Sequence, residues 1–254
     1  MLPSMLLIAT ALTEELEIVL NLCSRRRKIR GLGISIWEGV RGEKSLRVLK
    51  LGAGPACAAF ALERALTCIR ATHILNIGYA GALDPDLKQG ELVAVDWATL
   101  LSENKWGAPL GELESGESWP LASSKELCDM AHAAGLPIRR GIALTSFCII
   151  GAPSHKQLLF QKFQAAIVDM ETAALARVSH SAAVPMSCVR AVTDEADDDF
   201  LATLTYAPAD GSFRRAAKTL AAGGWLRRYG QWRERSLAAR QSLSRFLACY
   251  LNQE

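Results

Sequence analysis

The sequence predicts an α/β protein in which a central sheet lies between two layers of helices. Short apolar segments of strand length alternate with segments of helical periodicity, an order that is typical of this class. The clearest case is an apolar run at residues 165–169 followed by a helix that is predicted to begin at Met170-Glu171. Pro185 ends the helical region, and a second apolar run follows at residues 186–192. This β-α-β unit predicts two strands whose carboxyl ends lie at the same edge of a sheet.

We predict a single domain over residues 1–254. Half of these residues are hydrophobic, which is enough for one sizeable core, and no linker rich in Pro, Gly or Ser divides the chain. No apolar run reaches the roughly 20 residues needed to span a bilayer. The apolar N-terminal segment lacks basic residues and continues directly into Glu14 and Glu15, which favours a first strand over a signal peptide.

The cysteines indicate a reducing compartment. Seven are present, and their spacing is that of neither close disulfide pairs nor a metal site. They lie in apolar segments, as Cys57, Cys68 and Cys188 illustrate. We therefore expect reduced core thiols in a cytoplasmic protein.

The C-terminal part of the chain is more basic than the rest. The net charge is +3, but residues 213–254 contain nine Lys or Arg and two Glu, which places +7 on this part and −4 on the remainder. Two explanations are a helix that binds nucleic acid or a membrane surface, and the solvated face of a docked helix. Leu, Trp and Phe at helical spacing favour the docked helix. We predict helices at residues 213–222 and 225–252 and no nucleic-acid partner, and a solvated loop at the basic run of residues 25–28.

Carboxylates follow both strands of the β-α-β unit. Glu171 comes two residues after the first strand and Asp194 two residues after the second. Strand ends of parallel sheets face the ligand crevice, so we expect both acids at one site. Near the N-terminus, Thr13, Glu14 and Glu15 begin a helix. On this pattern alone, helix capping and the helix dipole explain the two glutamates.

The sequence around these acids resembles the nucleoside phosphorylase family. VDMETAALA at residues 168–176 and VRAVTDEAD at residues 189–197 match its signature in type, order and spacing, and are most similar to the 5′-methylthioadenosine/S-adenosylhomocysteine nucleosidase branch. ATALTEELE, LGAGPACAA and NIGYAGALDPDLKQGELV resemble further family segments, so the similarity extends over about residues 6–199. A weaker likeness to hopanoid-associated members comes from ADG before a predicted helix and from LRRYGQW.

The resemblance adds expectations that the pattern alone does not support. It implies a three-layer α/β/α fold whose central mixed sheet is partly barrel-like. It implies a nucleoside substrate, water or phosphate as co-substrate, and a homo-oligomer. It implies no metal and no organic cofactor.

The resemblance also assigns roles to the acids. Glu171 would hold the ribose hydroxyls and place negative charge near a developing cation, with Met170 packed on the sugar. Glu15, on the opposite side of the sugar, would orient and deprotonate a water molecule, whereas Glu14 would remain a surface residue.

Asp194 would supply the acid that the purine needs at N7 in order to leave. We expect burial and the neighbouring acids Glu195 and Asp197 to raise the pKa of Asp194. Arg190 precedes this motif, and two roles stay open for it: it orients one of the catalytic carboxylates, or it forms a structural ion pair.

Small residues are expected around the sugar. Ala53 and Gly54 lie in a Gly-Ala-Gly turn that lets the backbone approach a ligand. Relatives carry a larger apolar side chain at the position of Ala53, so more room is expected beside the 5′ substituent. Gly78 begins a predicted small-residue turn at residues 78–83 beneath the ribose, where Tyr79 replaces a small hydroxyl residue.

The base would be held at the end of a strand predicted at residues 141–150. In the nucleosidases this segment binds adenine through main-chain groups and apolar side chains, which places Ile149 and Ile150 at the base. An aromatic residue is common at the position of Ile149, so weaker stacking is expected here.

The resemblance therefore implies an enzyme that cleaves the N-glycosidic bond of a purine nucleoside, by hydrolysis of a 5′-modified adenosine to adenine and the ribosyl product. Phosphorolysis is the first alternative, but hexameric phosphorylases carry Arg and Ser where this chain has Asn76 and Tyr79, and a carboxylate at Glu15 would repel phosphate. A nucleoside-binding protein without catalysis is the second. Acids on both sides of the sugar argue against it.

Overall fold

The structure is a computed structural model that describes residues 5–102, 114–199 and 225–252, with side chains in the last segment described from residue 236 onward. The strands are β1 (Leu6–Thr10), β2 (Arg25–Ile29), β3 (Ser35–Arg41), β4 (Lys44–Lys50), β5 (His73–Ala82), β6 (Leu92–Leu101), β7 (Ser115–Pro120), β8 (Ile138–Thr145), β9 (Ile167–Asp169) and β10 (Met186–Asp194). The helices are α1 (Thr13–Leu22), α2 (Pro55–Cys68), α3 (Ser124–Ala133), α4 (Pro153–Phe163), α5 (Thr172–Ser181) and α6 (Trp225–Asn252).

Five strands of the sheet close into a barrel. β5 pairs with β10, β10 with β6, β6 with β8, β8 with β9, and β9 again with β5. Both parallel and antiparallel pairs occur in this ring, and β1, β4, β3 and β2 extend the sheet outward from β5. The expected mixed, partly barrel-like sheet is therefore confirmed.

Helices cover both faces of the sheet. Buried apolar residues of α1, α3 and α6 form one core with residues of β1, β5 and β10. On the other face, the alanine-rich sides of α2 and α5 pack against β1 and β4. Small side chains on these two helices let them approach the sheet closely, and the burial of apolar surface on both faces stabilises the three-layer arrangement.

The register between β5 and β10 places the residues of interest side by side. Arg190 of β10 pairs with Gly78 of β5, and an irregularity after Val192 brings Asp194 beside Gly81. Bulges of this kind redirect side chains at the rim of a barrel.

Two predicted loops are strands. The basic run at residues 25–28 forms most of β2, an edge strand that pairs with β3 through its backbone while its side chains stay exposed. Charged side chains are common on such edges because they discourage pairing with other chains. The turn predicted at residues 78–83 is instead the second half of β5, because its small residues continue the pairing with β10 and β9.

The C-terminal helix docks on the sheet as predicted. α6 has the predicted bounds, and Ala239, Leu243 and Phe246 are fully buried against α1 and α3. The helix predicted at residues 213–222 lies outside the described residues. A search of the described residues finds no helix long and apolar enough to cross a membrane.

The prediction of buried thiols holds only in part. Cys188 is buried, but Cys57 and Cys68 are exposed. They are eleven residues apart on α2 and so share one helix face, opposite the alanines that contact the sheet.

Candidate active site

The candidate site lies where β1, β4, β5, β9 and β10 end. Four of these strands bring a polar group to the site: Glu15 follows β1, Gly54 follows β4, Glu171 follows β9, and Asp194 is the last residue of β10. β1, β4, β5 and β10 run parallel, so their carboxyl ends lie at the edge expected for a ligand crevice. β9 runs antiparallel to β5, so the prediction that β9 and β10 end at the same edge of a parallel sheet was wrong.

Glu15 is held in one orientation by three backbone donors. Its side chain is buried, Oε2 accepts hydrogen bonds from the amides of Ala11 and Leu12 at 2.8 and 2.9 Å, and Oε1 accepts one from the amide of Tyr79 at 3.0 Å. The first two bonds cap α1, so the capping interpretation is correct as far as it goes. The third bond connects the carboxylate to β5. Burial raises the pKa of Glu15, and the positive charge of Arg190 opposes this effect.

Gly78 lies between Glu15 and Arg190. A Cβ built on Gly78 would lie 2.1 Å from Arg190 Nη1 and 2.8 Å from Glu15 Oε1. Glycine is therefore required here by close approach.

Arg190 forms a buried ion pair with Asp169. Its Nη2 lies 2.7 Å from Asp169 Oδ2, and the same nitrogen donates to Asn76 Oδ1 and Thr172 Oγ1, both at 2.8 Å. The carboxylate that Arg190 contacts is thus Asp169 and not one of the three predicted acids. Thr172 also donates its hydroxyl to Asp169. The structural ion pair is the role that this geometry supports.

Glu171 stands at the N-terminus of α5, makes no capping hydrogen bond with its side chain, and reaches toward β4. Oε1 accepts a hydrogen bond from the amide of Gly54 at 2.8 Å, and Gly54 has a φ of 94°, a left-handed conformation that favours glycine. Burial raises the pKa of Glu171 to about 8; the negative charge of Asp169 adds to this effect and Arg190 opposes it.

Asp194 is buried against β5 and α4. A Cβ on Gly81 would lie 2.9 Å from Asp194 Oδ2, so small residues are required here as well. Oδ1 accepts a hydrogen bond from the Thr193 hydroxyl at 2.8 Å, and Oδ2 lies 2.5 Å from Lys156 Nζ. Burial raises the pKa of Asp194, and the ammonium of Lys156 opposes this effect.

Glu195 and Asp197, which were expected to raise the pKa of Asp194, act on Lys88. The side chain of Glu195 turns away and pairs with Lys88 at 3.0 Å, and the charge of Asp197 also acts on Lys88. Asp198 is the acid that contributes to the raised pKa of Asp194, after the larger effect of burial. The expectation for Glu195 was therefore wrong, because its carboxylate has a lysine partner of its own.

The remaining predicted contacts surround these acids. Met170, between β9 and α5, is half-buried, as are Ala53 and Ile149. Ile149 and Ile150 follow the end of β8, and Ile150 packs in a cluster with Leu83 and other apolar residues. Their contacts with a substrate stay predictions.

Tyr79 lies on β5, and its side chain points away from the predicted acids. Its ring packs against the core under α1 and α6, on the same face of β5 as Leu75 and Ile77. Within the part of the chain that the structure describes, its buried hydroxyl has no hydrogen-bond partner. The backbone amide of Tyr79, which any residue would supply, is the group that contacts Glu15.

Lys156 was not among the predicted site residues, and no role was predicted for Asp169. Lys156 lies on α4 three, four and seven residues before Leu159, Phe160 and Phe163, a spacing that places it on the apolar face of the helix. A lysine at such a position signals a buried cation that needs a partner. Asp169 stands inside the VDMET motif, but nothing in the motif indicates that Arg190 would be its partner.

Nothing in the described residues groups three or more His, Cys, Asp or Glu side chains in a way that could hold a metal ion. The arrangement offers proton-transfer groups, since buried carboxyls with raised pKa values are suited to acid and base roles.

Comparison with known proteins supports one family. Residues 6–223 match the family model described as the phosphorylase superfamily. The curated 5′-methylthioadenosine/S-adenosylhomocysteine nucleosidase of Haemophilus influenzae strain 86-028NP is 28% identical over 197 residues, which cover 75% of this chain and 85% of the relative. The nucleosidase of strain PittGG is 27% identical, covering 75% of this chain and 86% of the relative.

Solved structures share the fold. The 5′-methylthioadenosine/S-adenosylhomocysteine nucleosidase of Neisseria meningitidis, in complex with methylthio-immucillin-A, superposes with a TM-score of 0.74 at 18% identity and 98% coverage of both chains. Futalosine hydrolase of Helicobacter pylori strain 26695 has a TM-score of 0.70 at 18% identity, with 96% of this chain and 97% of the other covered. Because the family match extends over residues 6–223, this chain belongs to the phosphorylase superfamily.

Proposed function

We propose that this protein is a nucleosidase that hydrolyses the N-glycosidic bond of a 5′-modified adenosine, releasing adenine and the ribosyl product. The curated relatives are nucleosidases that act on 5′-methylthioadenosine and S-adenosylhomocysteine. The observation that carries the proposal is the position of two buried acids along β5: the fixed carboxylate of Glu15 lies beside Gly78, and the carboxyl group of Asp194, at the end of β10, lies beside Gly81.

The two acids are placed for opposite proton transfers. Gly78 and Gly81, the β5 residues that contact them, are three residues apart, which corresponds to about 10 Å along a strand. Asp194 gives its proton to purine N7, the bond between C1′ and N9 breaks, and its electron pair moves into the base. Water adds to C1′, and its proton passes to Glu15. Proton exchange with solvent after product release restores both acids.

Glu171 stabilises the sugar, which lies between Asp194 and Glu15. It accepts hydrogen bonds from the ribose hydroxyls, and in its ionised form, above a pKa of about 8, its charge lies near the cation that develops at the sugar. The hydrogen bond from the Gly54 amide holds one of its oxygens and leaves the other for substrate.

The balance of charge favours water over phosphate. Arg190 is paired with Asp169, so this buried cation is already neutralised, and Lys156 is engaged by Asp194 and two carbonyl oxygens. Among the described residues, Glu15 and Glu171 form no ion pair within 4.0 Å with a basic side chain. A phosphate dianion beside the carboxylate of Glu15 would meet like charge, whereas a water molecule would meet a base.

Base release tests this proposal. Purified protein is incubated with 5′-methylthioadenosine, S-adenosylhomocysteine, adenosine and inosine, and the free base is quantified by chromatography. Adenine release from the 5′-thio-substituted nucleosides, lost in Asp194→Asn, supports the function. Tight binding of these nucleosides without base release would favour the non-catalytic binding protein instead.

We also propose that the protein is cytoplasmic and self-associates. Seven free cysteines, two of them exposed, suit a reducing compartment. Phe60, Trp97 and Leu237 are large hydrophobic residues that are 63%, 47% and 54% exposed, and such residues are candidates for subunit contacts. Light scattering coupled to size-exclusion chromatography measures the subunit number, and a monomer would contradict the second proposal.

A further inference from the structure

A buried lysine outside the family motifs lies against Asp194. The side chain of Lys156 is 0% exposed and that of Asp194 is 4% exposed, with 2.5 Å between Nζ and Oδ2. Lysine is rarely buried without a partner, because removing its charge from water is costly. Its position therefore depends on the carboxylate.

The surroundings of Lys156 Nζ fit the charged form. Besides Asp194 Oδ2, the nitrogen donates to the carbonyl oxygens of Glu195 at 2.6 Å and Asp198 at 3.3 Å. An ammonium has three hydrogens to donate and no lone pair, and here three oxygens receive them. A neutral amine would direct its lone pair at one of these oxygens.

Among the described residues, Lys156 is the cation whose charge acts on Asp194. The carboxylate of Glu195 is engaged with Lys88. That of Asp198 accepts a hydrogen bond from the Glu195 amide, and its negative charge acts on Asp194 in the direction opposite to Lys156. Thr193 contributes a neutral donor to Oδ1.

We propose that Lys156 is a positioning residue that stabilises the carboxylate of Asp194 as its proton moves to the purine leaving group. This inference rests on the proposed function. When the proton passes from Asp194 to N7, a negative charge is left on a carboxyl group that is buried. The ammonium 2.5 Å away neutralises that charge, so the acid can release its proton despite its burial.

The proposal predicts an effect that depends on the leaving group. Purine must be protonated in order to leave, whereas nitrophenolate leaves as a stable anion without an acid. Loss of the Lys156 charge should therefore slow the cleavage of a purine nucleoside and spare that of the corresponding 4-nitrophenyl riboside. A purely structural role would slow both reactions equally.

The experiment compares Lys156→Gln with the wild type. Glutamine keeps N–H donors for the two carbonyl oxygens but has no charge. We expect adenine release from 5′-methylthioadenosine to fall about 10- to 100-fold, and release of nitrophenol from 4-nitrophenyl 5-methylthioriboside to stay within about 3-fold of the wild type. Lys125→Gln is the matched control, because Lys125 pairs with Asp129 on the surface with 73% of its side chain exposed. It should change neither rate.

A pH titration of the protein without substrate tests the contact between Lys156 and Asp194. Carboxyl carbon resonances of ¹³C-labelled aspartate are followed against pH, and Asp194→Asn identifies the resonance of Asp194. In Lys156→Gln this resonance should titrate about one pH unit or more above its wild-type midpoint. An unchanged midpoint, or equal losses with both leaving groups, overturns the inference about Lys156.

If Lys156→Gln does not fold, Lys156→Arg tests the inference about Lys156 instead. It keeps the charge, so the ratio of the two rates should stay within about 3-fold of the wild type. A folded arginine variant whose adenine release falls more than about 10-fold relative to nitrophenol release overturns the inference. A wild-type protein that releases no base overturns the proposed function, whereas the titration still shows whether Lys156 controls Asp194.

Discussion

The guanidinium of Arg190 occupies the space beside Gly78 in which any other residue would place its side chain. A Cβ at position 78 would lie 2.1 Å from Nη1, closer than real carbon atoms approach. The paired strands β5 and β10 hold both residues in register, so neither can move away easily. Because of this contact, Arg190 in the motif of β10 restricts position 78 in the motif of β5 to glycine.

Gly78→Ala should impair catalysis as well as folding. The added methyl group displaces Arg190 or Glu15, and we expect kcat to fall at least about 10-fold and the free energy of unfolding to fall by about 1–3 kcal/mol. Gly39→Ala is the control, because its Cβ would crowd Cys23 and Leu46, remote from the site. It should lower stability and leave kcat unchanged. Equal kcat values for wild type and Gly78→Ala would contradict the assigned contact.

Arg190→Met should destabilise the protein strongly. It leaves the carboxylate of Asp169 buried without a cation, at a cost of about 3–5 kcal/mol in urea unfolding. Arg139→Gln removes a partly exposed partner of Asp84 and should cost no more than about 1 kcal/mol. Adding Asp169→Asn to Arg190→Met should restore part of the loss. A loss below about 1 kcal/mol for Arg190→Met would show that the pair is not a structural one.

Glu15→Gln should lower kcat by about 100-fold or more, with KM changed only a few-fold, because the base is lost but the shape is kept. Its amide nitrogen must also face a backbone N–H, since both oxygens of Glu15 accept from amides. We expect a stability loss of about 1–3 kcal/mol. Glu14→Gln tests the neighbouring acid by the same steady-state assay. If it reduced kcat as much as Glu15→Gln, the base would be misassigned.

Glu171 should make stability depend on pH. Burial raises its pKa from 4.5 to about 8, so the folded state binds this proton more tightly than the unfolded state. Its contribution is complete below about pH 4.5 and is lost as the pH rises through about 8, at up to about 1.4 kcal/mol per pH unit.

Glu171→Gln removes this dependence, because its amide stays neutral and its carbonyl oxygen can still accept from Gly54. Between about pH 5.5 and about pH 7.5, the variant should gain stability relative to the wild type in urea unfolding. Glu63→Gln, at a surface pair with Arg177, controls for the chemical change. Parallel stability curves for wild type and Glu171→Gln would exclude the raised pKa.

Much of the fold could be predicted, because its strands and helices have strong periodicity. The unit from β9 to β10 and the long α6 are examples in which apolar spacing and Pro or Gly boundaries coincide with the structure. β2 was missed because an exposed edge strand pairs through its backbone and has no apolar pattern. The continuation of β5 past Gly78 was missed because small residues there signal a turn, and only pairing with β10 makes them a strand.

The acids of the site were predictable, but their partners were not. Glu15, Glu171 and Asp194 stand in recognisable motifs at strand ends. The ion pairs of Asp169 with Arg190 and of Lys156 with Asp194 connect residues 21 and 38 positions apart. Such contacts depend on how the strands close into a barrel, which local periodicity does not encode.

The dependence of adenine release on phosphate distinguishes hydrolysis from phosphorolysis most directly. 5′-Methylthioadenosine is supplied to the wild-type protein in phosphate-free buffer and again with millimolar phosphate, and the sugar product is analysed by mass spectrometry. We predict equal rates in both buffers and a free 5-methylthioribose product. A rate that requires phosphate, with a sugar 1-phosphate as product, would contradict hydrolysis and remove the proposed role of Glu15 as the base that activates water.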